Sequence, residues 1–133
     1  TGCECVKFQC HIVNDEMIPN NVVPGNADES IWEIIQRCSL TEKEEILVKD
    51  YVDKKGMLYL STPFSRKAAQ RLHNMGVEGF KVGSGECNNY PLIKHVASFR
   101  KPIILSTGMT NWNMIDEIVN IFEKKKAKFA LLH

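Results

Sequence analysis

Two lysines stand in short runs otherwise dominated by apolar side chains, Val6-Lys7-Phe8-Gln9 and Phe80-Lys81-Val82-Gly83. In an extended strand alternate side chains face opposite ways. Val6 and Phe8 then share one face and Lys7 and Gln9 the other, while Lys81 opposes Phe80 and Val82. If the apolar faces pack on helices, both ammonium groups project into the centre of the sheet, where an unpaired charge is costly. Each lysine therefore requires a carboxylate partner or an anionic ligand. Two cations converging from separate strands suit a doubly charged anion. Pairing with a core acid such as Glu86, or an edge strand facing water, is the competing account.

The residues that follow these runs are small, hydroxylated or glycine: Ser61-Thr62-Pro63, Gly83-Ser84-Gly85-Glu86 and Ser106-Thr107-Gly108. Ligands of parallel βα sheets bind beyond the carboxyl ends of the strands. Glycine lets backbone approach an anion, and hydroxyls and free amides donate hydrogen bonds to it. One such triplet is common in turns; three of them beside two inward lysines form a phosphate or carboxylate signature. Glu86 is the acid among them, either a general base or a salt-bridge partner of Lys81 or Lys7. His73 and His95 fall on helical stretches and read as surface or boundary residues, whereas His11 and His133 close the first and last runs. None of the four has the patterned partners of a metal site. The five cysteines (Cys3, Cys5, Cys10, Cys38, Cys87) are an odd set, and Cys3-Glu4-Cys5 is too tight for a zinc knuckle. They read as reduced thiols of a cytosolic protein.

The elements that must position these residues alternate between β-forming and helical stretches, the pattern of βα units. Strands are predicted at 5–11, 57–61, 79–83, 102–106 and 128–132. Thr41 and Glu44 make a capping box for a helix with an apolar stripe at Leu47, Val48, Tyr51 and Val52. Ser65 caps a helix that Gly76 stops, Pro91 opens another, and Thr110 caps the last. In that last helix Ile115, Ile118, Val119 and Phe122 form a buried face. Only the connection 12–30 is long and polar, which suits a functional loop. At 133 residues the chain allows one compact domain, well short of the roughly 250 of a typical (β/α)8 barrel. A net charge of +1 excludes a strongly basic nucleic-acid or membrane surface. The cluster Lys124, Lys125, Lys126 and Lys128 suits the negative end of a helix dipole. No signal peptide or run of membrane length is seen. Both ends, one step from a strand and on His133, are expected to be cuts.

Together, Val6-Lys7-Phe8-Gln9, Leu60-Ser61-Thr62-Pro63-Phe64, Phe80 to Glu86 with Asn88-Asn89, and Ile104-Leu105-Ser106-Thr107-Gly108-Met109 resemble the N-acetylneuraminate (sialic acid) synthase family in order and spacing. Leu131-Leu132-His133 looks like the start of that family's next strand-end motif, and the helix at 29–40 is similar too. The resemblance covers essentially the whole chain. It implies part of a (β/α)8 TIM barrel, about five parallel strands with intervening helices, within a single catalytic domain. The implied activity is a transferase: aldol-type condensation of phosphoenolpyruvate with an N-acyl amino sugar such as N-acetylmannosamine. The products are phosphate and a nine-carbon sialic, legionaminic or pseudaminic acid, with bacterial surface polysaccharide as the context. Carried over residue by residue, Lys7, Thr62, Lys81, Ser84 and Ser106 would hold the phosphate and carboxylate of phosphoenolpyruvate. Glu86 would join Lys81 as a catalytic residue near the reacting carbons, and Gln9 would touch the sugar. The implied mechanism is attack on an aldehyde polarised by a divalent metal, Mn or Mg, followed by addition of water and loss of phosphate.

Three parts of that family have no counterpart in these residues: the first strand with its Asn-His motif, the last strands with two metal-binding histidines, and the C-terminal antifreeze-like domain. Metal ligands are therefore expected outside the chain, His133 is not expected to be one, and the piece alone is expected to be inactive. The resemblance further implies a cytoplasmic homodimer with neither nucleic acid nor membrane as partner. Two other functions compete with this one. One is a different phosphoenolpyruvate aldol synthase making octulosonate or heptulosonate phosphates, against which Lys-Phe-Gln and Ser-Gly-Glu weigh. The other is a truncated barrel serving as a binding or assembly module.

Overall fold

Hydroxyl and amide side chains set where the helices begin. In the computed structural model, which describes residues 2–133, Ser30 and Glu33 form a reciprocal capping box on the helix Ile31–Cys38, as Thr41 and Glu44 do on Glu42–Lys54. Each box satisfies orphaned N–H groups of a first turn. The Ser65 hydroxyl caps Arg66–Asn74, and Gly76, at φ +78°, ends it with a backbone that residues bearing a Cβ resist. In chain order the elements are β1 (Cys5–Cys10), α1 (Val13–Glu16), α2 (Ile31–Cys38), α3 (Glu42–Lys54), β2 (Leu58–Pro63), α4 (Arg66–Asn74), β3 (Phe80–Val82), a 3-10 turn (Ser84–Glu86), α5 (Tyr90–Ser98), β4 (Ile103–Ser106), α6 (Trp112–Lys125) and β5 (Phe129–Leu132).

The strands form one parallel sheet in the order β1-β2-β3-β4-β5, so each lies beside its predecessor in the chain. Phe80 pairs with Ile103, Lys81 with Ile104 and Val82 with Leu105. Gly79 brings β3 this close, because a Cβ there would stand 2.9 Å from the Pro102 carbonyl oxygen. One face of the sheet carries Tyr59, Phe80, Val82, Ile103 and Leu105, all buried against Leu72, Leu92, Ile93, Val96, Ile118 and Phe122 of the helices. The other face carries Lys7, Gln9, Leu58, Leu60, Thr62, Lys81, Ile104 and Ser106, and Leu58 is 54% exposed there. A parallel sheet wound in chain order with helices on one face only is a segment of a (β/α)8 barrel.

Three local expectations need correction. The buried face of α3 is Glu45, Val48, Lys49 and Val52, while Leu47 and Tyr51 of the predicted stripe are exposed. The reason is electrostatic: Glu45, 1% exposed, accepts from the Arg71 guanidinium of α4 at 2.9 Å and from the Cys10 thiol at 3.4 Å. That pairing makes an inward carboxylate tolerable and turns the apolar stripe outward. The cap of α6 is Asn111, whose side chain accepts from the Met114 N–H; Thr110 instead donates its hydroxyl to the Thr107 carbonyl at 2.6 Å. The long polar connection contains α1, and the helix expected at 29–40 spans Ile31–Cys38.

Candidate active site

Lys81 sits at the middle of the open face, yet it is only 8% exposed. Its ammonium donates to the Ser106 hydroxyl oxygen at 2.5 Å and to the Val82 carbonyl at 2.8 Å. Among the described residues the ion pairs are His11–Glu16, Arg37–Glu29, Lys49–Asp53, Lys67–Asp15 and Arg71–Glu45. Neither Lys81 nor Lys7 has a carboxylate partner in that set. Burial holds the Lys81 ammonium below the ordinary lysine range, and the positive charge of Lys7 adds to the effect. An inward lysine, short of counter-charge and facing the charge of a second lysine, is a candidate site for an anion.

The strand ends close around it. Gln9 pairs in register with Thr62, which is buried at the end of β2. A methyl group on Gly83 would lie 4.0 Å from Thr62 Cγ2, and one on Gly108 would lie 3.9 Å from Ser84 Cβ. Thr62, Ser84 and the loop after Ser106 are thus neighbours on the carboxyl side of the sheet. Lys7 lies on the same inner face, beside Leu60.

Glu86 takes a different place from the salt-bridge alternative. It is half-buried on the 3-10 turn and accepts from the Asn89 amide at 2.8 Å. The same turn is tied to β4 by the Cys87 thiol, which donates to the Ser106 carbonyl at 2.9 Å. Burial pushes that thiol above its ordinary range; Lys81 opposes the shift and Glu86 adds to it. Sequence reasoning gave Asn89 and Cys87 no role. The signal for Asn89 was its place, three residues after Glu86 and two before Pro91, where an N-cap belongs.

His11, expected only to reach this end of the sheet, is bound there. Its Nδ1 lies 2.9 Å from Glu16, and its ring stacks on Phe64 at 4.3 Å. His73 stacks on Phe99 and His95 meets the same ring edge-on, at the boundary where they were expected. Among the described residues no group of three or more His, Cys, Asp or Glu side chains is arranged to hold a metal ion. Nor is any described helix long and apolar enough to cross a membrane.

The fold is that of part of a (β/α)8-barrel protein. The chain belongs to the NeuB family, whose model matches residues 1–133. It is 34% identical to the N,N'-diacetyllegionaminic acid synthase of Campylobacter jejuni, covering 100% of this chain and 42% of that protein. With the human N-acetylneuraminate-9-phosphate synthase it shares 28% identity, over 98% of this chain and 38% of that one. A crystal structure of the N-acetylneuraminic acid synthetase of Leptospira borgpetersenii in complex with citrate superposes with a TM-score of 0.85. The identity there is 30%, over 98% of this chain and 43% of the other. The chain therefore spans less than half the length of these relatives.

Proposed function

We propose that this chain supplies the phosphoenolpyruvate pocket of a sialic-acid-type synthase, a transferase that condenses phosphoenolpyruvate with an N-acyl amino sugar. The observation that carries the reading is Lys81, nearly buried without a carboxylate on a face shared with Lys7. Phosphoenolpyruvate presents a phosphate and a carboxylate, a spacing of charge that two lysines on one face, on β1 and β3 with β2 between them, and the hydroxyls of Thr62, Ser84 and Ser106 can meet. Family membership and the activities of the relatives support the same reading.

In the reaction C3 of the enolpyruvate attacks the sugar aldehyde, forming the new carbon–carbon bond while the aldehyde oxygen takes up a proton. Water adds to the cation left at C2, giving up a proton, and the C2–O bond to phosphate then breaks as the remaining hydroxyl proton passes to the departing phosphate, leaving the keto acid. Lys7, Lys81 and the hydroxyls hold the anion throughout and oppose its charge most strongly as phosphate departs. Glu86 is positioned to take the proton of the added water, and Gln9 at the rim of β1 to touch the sugar. The described residues do not fit a divalent Mn or Mg, so its ligands are placed outside them and no step is derived through it. On this reading the working protein is a cytoplasmic homodimer and the acyl sugar is one of the sialic, legionaminic or pseudaminic precursors. Measuring phosphate release by the complete protein with phosphoenolpyruvate and each N-acyl sugar tests the assignment. Release with none of them refutes it.

A further inference from the structure

We infer that Asn89 is the positioning residue that orients Glu86, coupling the candidate base to the first turn of α5. This rests on the reading of Glu86 given above and goes beyond it to a residue with no assigned role. The Asn89 side chain makes two bonds with opposite requirements. Its Oδ1 accepts from the Leu92 N–H at 3.2 Å, which caps α5, and its Nδ2 donates to a Glu86 carboxylate oxygen at 2.8 Å. An amide offers one acceptor end and one donor end, so the cap decides which end meets Glu86. The N–H of Leu92 can be satisfied only by the oxygen, and the NH2 is thereby turned onto the carboxylate.

Asn89 also donates its backbone N–H to the Glu86 carbonyl at 3.0 Å, so the three-residue link between them is closed twice. Its backbone (φ −81°, ψ 67°) departs from the extended conformation seen at the Ser30, Thr41 and Ser65 caps. Pro91 follows at the start of the helix, fixing its own backbone and stiffening the turn. Of the titratable groups nearby, Cys87 on the same turn is raised by burial and by the Glu86 carboxylate and lowered by Lys81. At the start of α5 stands Tyr90, whose phenol is raised by the Glu117 carboxylate of α6. None of these donates a hydrogen bond to Glu86; Asn89 alone does so among the described residues.

Substitution can separate the two bonds. In Asn89→Ser the hydroxyl still caps α5, since serine is as good a cap as asparagine, but it cannot reach Glu86. Asn89→Asp keeps the cap and sets a second carboxylate against the first. In the complete enzyme Asn89→Ser should retain its melting temperature and its KM for phosphoenolpyruvate while kcat falls about tenfold to a hundredfold. Asn89→Asp, which exchanges the donor for a second carboxylate, should lower kcat at least as far while its melting temperature is retained. Unchanged kcat in both, with Glu86→Gln impaired, would overturn the role of Asn89 while leaving that of Glu86 intact. If Glu86→Gln is itself unimpaired, the catalytic reading of Glu86 falls.

Discussion

The ammonium nitrogen of Lys81 stands 2.5 Å from the hydroxyl oxygen of Ser106. That oxygen is therefore an acceptor toward the lysine, and its own O–H is free to donate elsewhere. Of the three N–H groups on Lys81, one goes to Ser106 and one to the Val82 carbonyl, leaving one for a ligand. The pair thus offers an anion two donors and one uncompensated charge.

Lys81→Met should keep the fold and lose phosphoenolpyruvate. The side chain has no carboxylate to orphan, so its removal leaves no unpaired acid behind. A charge-assisted hydrogen bond is worth about 1.5–3 kcal/mol, or roughly tenfold to a hundredfold in affinity. Circular dichroism and the KM for phosphoenolpyruvate check the two halves. A wild-type KM would return Lys81 to a structural role.

Glu86→Gln is nearly isosteric and can still meet the Asn89 region, so phosphoenolpyruvate binding should persist. Turnover should drop about a hundredfold or more, the usual worth of general acid–base catalysis. Single-turnover measurement of phosphate release separates the two effects, and undiminished release would exclude a proton-handling role.

The pH dependence of anion binding follows from the lowered Lys81. Below its depressed value the group is charged and attracts an anion; above it the attraction is lost, at a pH where an ordinary lysine would still be protonated. Lys7→Met removes the neighbouring repulsion, so the loss of affinity should move to higher pH, although affinity at neutral pH also declines. Stability of the unliganded chain has the opposite slope. The unfolded lysine binds its proton more tightly than the folded one, so stability should rise with pH between the lowered value and the ordinary 10.5. Calorimetric titration of phosphoenolpyruvate and urea unfolding across this range measure the two trends. A Lys7→Met profile superimposable on wild type would contradict the coupling.

The buried pair of Arg71 and Glu45 should respond asymmetrically. The Glu45 side chain is 2% exposed and that of Arg71 17%. Arg71→Ala strands a carboxylate in the interior and should cost about 3 kcal/mol or more, whereas Glu45→Gln leaves a guanidinium that can turn toward water and should cost less. Chemical denaturation ranks the two variants, and the reverse order would mean that the carboxylate finds other donors.

Much of this arrangement was legible from residue type. Alternation in Val6-Lys7-Phe8-Gln9 and around Lys81 gave the faces, because the period of a strand is fixed by geometry. Capping residues such as Thr41 and Ser65 gave helix starts, because their bonds are local. The misread stripe of α3 shows where this stops. Glu45 is buried only because Arg71 arrives from another helix, and no periodicity within α3 carries that information. Asn89 escaped for a similar reason, since its capping pattern was visible but its second bond, to Glu86, needed the turn in space. Lys81 and Ser106 were placed on one face by pattern, yet their direct contact required the pairing of β3 with β4.

Purified alone, residues 1–133 should self-associate and make no sialic acid. Strands β1 and β5 each leave one side of their ladder unpaired, and Leu58, Phe129, Leu131 and Leu132 are exposed. Such edges and apolar surface favour association. Light scattering gives the mass, and an assay with manganese, phosphoenolpyruvate and N-acetylmannosamine gives the activity. A monodisperse, active monomer would contradict both expectations.

Because the sheet is laid down in chain order, every strand finds its neighbour among residues that have already left the ribosome. β2 can dock on β1 once Leu58–Pro63 has emerged, and each later strand of the five closes a loop of only one α-helix. Short closures cost little chain entropy, so folding can advance at the pace of translation, without waiting for a distant partner. The growing end is always the newest strand, and the lysine that waits for its anion is in place only after β4 has delivered Ser106. The pocket is thus assembled late, on a scaffold whose first strands are already secured.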